Sequence, residues 1–64
     1  MPTCVIDGPK IDDVGIKRTL VREITDALEK AYKLPRDVYI VLIKENKTEN
    51  VGVGGTLILD REKS

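Results

Sequence analysis

The residue best placed for chemistry is the second one. Pro2 follows Met1 and leads straight into an apolar run, Thr3-Cys4-Val5-Ile6. If an aminopeptidase removes Met1, the proline nitrogen becomes a free secondary amine. Such an α-amine titrates at about 8 before a fold perturbs it, and burial or nearby cations lower that value. It is then equipped to act as a general base or nucleophile at neutral pH. With Met1 attached, the same nitrogen is a tertiary amide without basicity. The plain alternative is that proline is simply tolerated at a strand start. Other chemistry is sparsely supplied. There is no histidine and one cysteine, Cys4, which reads as a small side chain packed in an apolar strand. No cluster has zinc-ligand spacing, so neither a metal nor a cofactor is expected. The glycine run Gly52-Val53-Gly54-Gly55 lacks the Lys-Ser/Thr of a phosphate loop and the following helix of a dinucleotide fingerprint. It reads as a tight turn or hairpin.

The elements that must position Pro2 follow from periodicity. Residues 2–6 predict a short strand, ended by the turn signal Asp7-Gly8-Pro9 and a loop through Lys10-Ile11-Asp12-Asp13. Asp12 or Asp13 is a helix cap, and Gly15 moves the expected helix start toward Ile16. Val21, Ile24, Leu28 and Ala31, with Leu20 and Ala27 alongside, form one apolar stripe to about Tyr32 or Lys33. Arg22–Asp26 and Asp26–Lys30 are spaced as solvent-side ion pairs. Leu34-Pro35 stops the helix. Val38-Tyr39-Ile40-Val41-Leu42-Ile43 is apolar without alternation and predicts a central strand covered on both faces. A polar connection, 44–50, precedes the glycine run, a third short strand at 56–59 and a charged tail, 60–64.

Strand, helix and strand make a βαβ unit, which has one helix for two sheet faces. The uncovered face calls for another subunit. Size leads to the same expectation: 64 residues form one domain, 1–64, that buries only about 60% of its unfolded surface. With no disulfide, the missing stability is expected from a homo-oligomer. Eleven Lys+Arg balance eleven Asp+Glu, and the aromatic residues are two tyrosines, so nucleic acid is not an expected partner. No run approaches eighteen apolar residues and no signal peptide opens the chain, so no membrane partner and a cytoplasmic location are expected.

Taken together, Met-Pro opening a strand, the Leu20-Val21-Arg22-Glu23-Ile24 helix run, the apolar strand and Glu49-Asn50-Val51-Gly52-Val53-Gly54-Gly55 resemble the 4-oxalocrotonate tautomerase family of the tautomerase superfamily. The resemblance spans essentially the whole chain. It implies a small α/β (α+β) subunit, a β-α-β tautomerase fold with a short C-terminal hairpin, its sheet completed by dimerisation. In the family three such dimers commonly make a hexamer, so the resemblance implies one here. It also implies an isomerase of the kind used in aromatic-compound degradation, with Pro2 as the base. That base moves a proton between the enol and keto forms of a small unsaturated acid such as 2-hydroxymuconate. The family's apolar wall near the amine falls at Val51. Its two substrate-gripping arginines do not carry over, since their positions hold Asp12 and either Tyr39 or Ile40. Lys10, Arg36 and Tyr39 are the candidate substitutes. Each also reads as an ordinary residue: a loop charge, a post-helix surface residue and a strand side chain at a subunit contact. The alternative is a tautomerase-fold oligomer with little or no tautomerase activity.

Overall fold

The computed structural model describes residues 1–61. The chain runs β1 (Thr3–Gly8), α1 (Val14–Tyr32), β2 (Ile40–Glu45), then a hairpin of β3 (Gly52–Val53) and β4 (Thr56–Leu57), and ends in a helical turn, α2 (Ile58–Arg61). β1 and β2 pair in parallel, with Thr3 opposite Ile40, Val5 opposite Leu42 and Asp7 opposite Lys44. Residues 62–64 of the expected charged tail lie outside the described residues.

Local chemistry explains where the boundaries differ from the periodicity. β1 continues through Asp7 and Gly8 because parallel pairing holds their backbone against Lys44 and Glu45. α1 begins at Val14 despite Gly15. Asp13 is its N-cap, and its carboxylate accepts the Gly15 N–H at 2.7 Å. The helix closes at Lys33 in the left-handed region, φ 58°, whose N–H reaches the Glu29 carbonyl at 2.9 Å. β2 starts two residues later than expected because Arg36–Val38 form a 3-10 turn, with the Val38 N–H donating to the Pro35 carbonyl. The third strand is only two residues long, and Ile58 and Leu59 turn into α2 instead.

The apolar run of β2 is not covered on both faces. Burial alternates along both strands, so Cys4, Ile6, Val41 and Ile43 are half-buried on one face. On the other, Val5, Ile40 and Leu42 remain 50%, 45% and 46% exposed. On α1 the half-buried stripe is Leu20, Val21, Ile24 and Leu28 around Thr25, while Ala27 and Ala31 face outward. Thr25 is the one buried residue among those described, its hydroxyl donating to the Val21 carbonyl at 2.7 Å. No hydrophobic side chain among them is buried. The radius of gyration is 15.3 Å, against about 11 Å for a compact chain of this length. A protomer this extended has its core half built.

Candidate active site

Pro2 precedes β1 and is half-buried, its carbonyl accepting the Ile40 N–H at 3.0 Å. One step beyond the Thr3–Ile40 pair, register sets Pro2 beside Tyr39. Met1 is 82% exposed, so its loss uncovers the proline nitrogen without removing packing. Tyr39 is held by its hydroxyl, which donates to the Leu34 carbonyl at 3.0 Å and accepts the Leu34 N–H at 2.9 Å. These bonds close the helix-to-strand connection over Pro2's end of the sheet.

Arg36 and Tyr39 come together in a groove of about 520 Å³ along α1, with Lys17, Arg18 and Arg22 over Val21. Arg36 is engaged there. Its guanidinium lies 2.8 Å from the Asp26 carboxylate and 3.3 Å from that of Glu29, and also donates to the Arg22 carbonyl at 3.5 Å. Asp26 therefore pairs across to the connection, not along the helix with Arg22 or Lys30 as its spacing predicts.

Lys10 and Val51 belong to the other end of the sheet. A cavity of about 430 Å³ lies there, lined by Asp7, Pro9, Asn46, Thr48, Val51 and Ile58 with the Gly8 backbone. The Ile58 N–H donates to the Val51 carbonyl at 2.8 Å, which fixes the hairpin segment as the cavity wall. The Lys10 side chain is 74% exposed and its amine lies 3.9 Å from Asp12. Within one chain Asp7, where β1 enters this cavity, lies five residues beyond Pro2, about 17 Å at 3.3 Å each. The five candidates thus fall into two groups: Pro2, Arg36 and Tyr39 at one end, Lys10 and Val51 at the other.

Sequence reasoning passed over Glu45, which organises the cavity's edge. One of its carboxylate oxygens accepts the Ile11 N–H at 2.7 Å and pairs with the Lys17 amine at 2.9 Å. It ties the loop after β1 to both β2 and α1. The Ile11 hydrogen bond, and after it Lys17, hold the Glu45 carboxyl below its ordinary range. The Asn46 N–H donates to the Gly8 carbonyl at 2.8 Å and continues the parallel ladder into the cavity rim. The available signal was positional: polar residues directly after a parallel strand stand where open sheets hold ligands. Among the described residues no group of three His, Cys, Asp or Glu could hold a metal, and no helix is long and apolar enough to cross a membrane.

With this geometry in hand, comparison is informative. The family model described as "Tautomerase enzyme" matches residues 2–61. Among solved structures, DmpI from Archaeoglobus fulgidus is 44% identical, with a TM-score of 0.81 over 92% of this chain and 100% of that one. A structure from work on the 4-oxalocrotonate tautomerase isozymes of Methylibium petroleiphilum is 26% identical, with a TM-score of 0.86 over 97% of each chain. TomN, a 4-oxalocrotonate tautomerase homologue in the tomaymycin biosynthetic pathway, shares the fold at a TM-score of 0.88. It is 21% identical, with 98% of this chain and 97% of that one covered. Among curated proteins, no sequence matches significantly.

Proposed function

The chain belongs to the tautomerase family, and on that premise we propose that it is an isomerase whose base is the Pro2 amine, freed by removal of Met1. Its substrate is a small 2-hydroxy or 2-oxo unsaturated acid of the 2-hydroxymuconate kind. The neutral amine accepts the enol proton, the electrons of the O–H bond form the carbonyl, and the double bond shifts along the chain. The protonated amine then returns the proton to carbon, leaving the conjugated keto acid and a neutral base. No cofactor enters the balance.

The observation that carries this reading is the position of Pro2. The family match begins at that residue, which stands half-buried at the head of β1 next to an exposed Met1. A partly apolar setting would favour the neutral form of the amine.

The site is completed between subunits. Two-fold antiparallel pairing of β1 edges sets one chain's Pro2 against its partner's Asp7–Pro9 cavity and makes a four-stranded sheet. Half-exposed Val5, Ile40 and Leu42 support this, because they leave a sheet face for further subunits to cover, as in a hexamer of three dimers. On this arrangement Val51 approaches the substrate from the partner, with Lys10 exposed beyond the cavity rim, and Tyr39 and Arg36 approach from Pro2's own side.

The competing reading, a tautomerase-fold oligomer without this activity, draws on Asp12 and either Tyr39 or Ile40 standing where the family resemblance calls for arginine. The deciding experiment pairs intact mass of the purified protein with an enol-to-ketone assay of wild type and Pro2→Ala. Loss of Met1 with turnover that collapses in Pro2→Ala upholds the proposal. A mature protein lacking Met1 that shows no turnover rejects it.

A further inference from the structure

The cavity at the C-terminal end of β1 carries a charge pattern that bears on what it accepts. Its wall holds one carboxylate, Asp7, two neutral hydrogen-bonding side chains, Asn46 and Thr48, and the apolar Pro9, Val51 and Ile58. Among the described residues, no lysine or arginine lines it. The nearest cations in sequence are otherwise placed. Lys10 projects outward and lies beside Asp12, while Lys17 is committed to Glu45. Lys44 stands opposite Asp7 in the strand register and outside the cavity lining. Asp7 is therefore the one charged side chain in the cavity wall among the described residues. A second acid, Glu45, stands at the end of β2 with its charge met by the Lys17 amine and the Ile11 N–H.

We infer that this cavity selects substrates with a single carboxylate, and that Asp7 is the residue that turns away a second one. The inference rests on the reading above, in which a partner's Pro2 works against this cavity. Asn46 and Thr48 offer hydrogen bonds to a neutral carbonyl or enol oxygen. Val51 and Ile58 meet an unsaturated carbon chain. Take a carboxylate brought to a separation of about 6 Å from Asp7 in a partly solvated cleft. At an effective dielectric of about 40, the repulsion disfavours it by roughly tenfold.

The test uses two enol acids of equal length: 2-hydroxymuconate and its analogue in which a methyl replaces the far carboxylate. Wild type is expected to favour the mono-acid in kcat/KM by roughly tenfold. Asp7→Asn keeps size and hydrogen bonding and is expected to shift the ratio of the two values toward the diacid by about the same factor, mostly through KM. Added salt should weaken the preference in wild type but not in the variant. Wild-type preference for the diacid, or an unchanged ratio in Asp7→Asn, overturns the inference. Asp7→Ser repeats the test should Asp7→Asn fail to fold. Binding is read separately from turnover, as amide shifts at Asn46, Thr48 and Val51 on addition of each acid. Stronger shifts with the mono-acid, in a protein that turns over neither, uphold the selectivity while rejecting the catalytic reading. Equal shifts, or none with either acid, overturn it.

Discussion

Replacing Leu42 with aspartate should dissolve the assembly and, with it, the fold. Leu42 sits opposite Val5 in the parallel register, next to Ile40, on the sheet face that α1 does not cover. The three side chains are 45–50% exposed. Covering the exposed half of each is worth about 1 kcal/mol, hence roughly 3 kcal/mol per protomer from this face. A carboxylate at position 42 removes one of those contributions and leaves an unpaired charge against apolar neighbours, at a cost of several kcal/mol. Together these amount to about 4–6 kcal/mol, a weakening of association by roughly a thousandfold or more. With no buried hydrophobic residue among those described, the separated protomer has little to hold it folded. Sedimentation equilibrium over a concentration series, with far-UV circular dichroism on the same samples, reads both effects. The wild type should sediment as a multiple of 7.1 kDa, and Leu42→Asp as a single chain with reduced helical signal. A wild-type protein that stays monomeric and fully folded at low micromolar concentration refutes the reasoning. So does a Leu42→Asp protein that assembles like wild type.

Two further substitutions probe the loops that frame the site. Because the Glu45 carboxyl titrates below its ordinary range, its stabilisation is present above the unfolded-state value and is lost as pH falls through the depressed folded-state one. The thermal midpoint of wild type should therefore fall more steeply than that of Glu45→Gln between about pH 6 and 3, and parallel curves would contradict the Ile11–Glu45–Lys17 arrangement. Tyr39→Phe removes both hydroxyl bonds to Leu34 and should lower stability by about 1–2 kcal/mol. A loss below a few tenths of a kcal/mol in denaturant titration would show that those bonds do not hold the connection.

The strand–helix–strand order was legible because each piece carried its own physical signature. The stripe through Val21, Ile24 and Leu28 and the stop at Leu34-Pro35 bounded α1 from composition alone. The β2 run was legible as a strand but misleading about cover. Continuous apolarity from Val38 to Ile43 reads as two buried faces, whereas the protomer covers one and leaves Ile40 and Leu42 open. The open face itself was legible all the same, from one helix serving two faces, and Val5, Ile40 and Leu42 are exposed on it. Pro2 stood out by its type and position. Glu45 did not, because its role depends on a backbone N–H 34 residues away that periodicity cannot see. Nor did Asp26 reveal Arg36 as its partner, since helical spacing points to Arg22 and Lys30 instead. Separation of the candidates into two ends of the sheet is likewise a consequence of strand length and direction, which emerge only once the register is known.

The central claim is that the Pro2 amine is the base. It is tested most directly by comparing two titrations of one protein, that of Pro2 by nitrogen NMR on a sample of verified mass lacking Met1, and that of kcat/KM against pH. Protonation disables the base, so the lower limb of the rate profile should fall at the pH where the Pro2 nitrogen titrates. Both should lie at or below the ordinary amine value of about 8. A rate that stays level down through about pH 5 while the amine titrates above it would contradict Pro2 as the base.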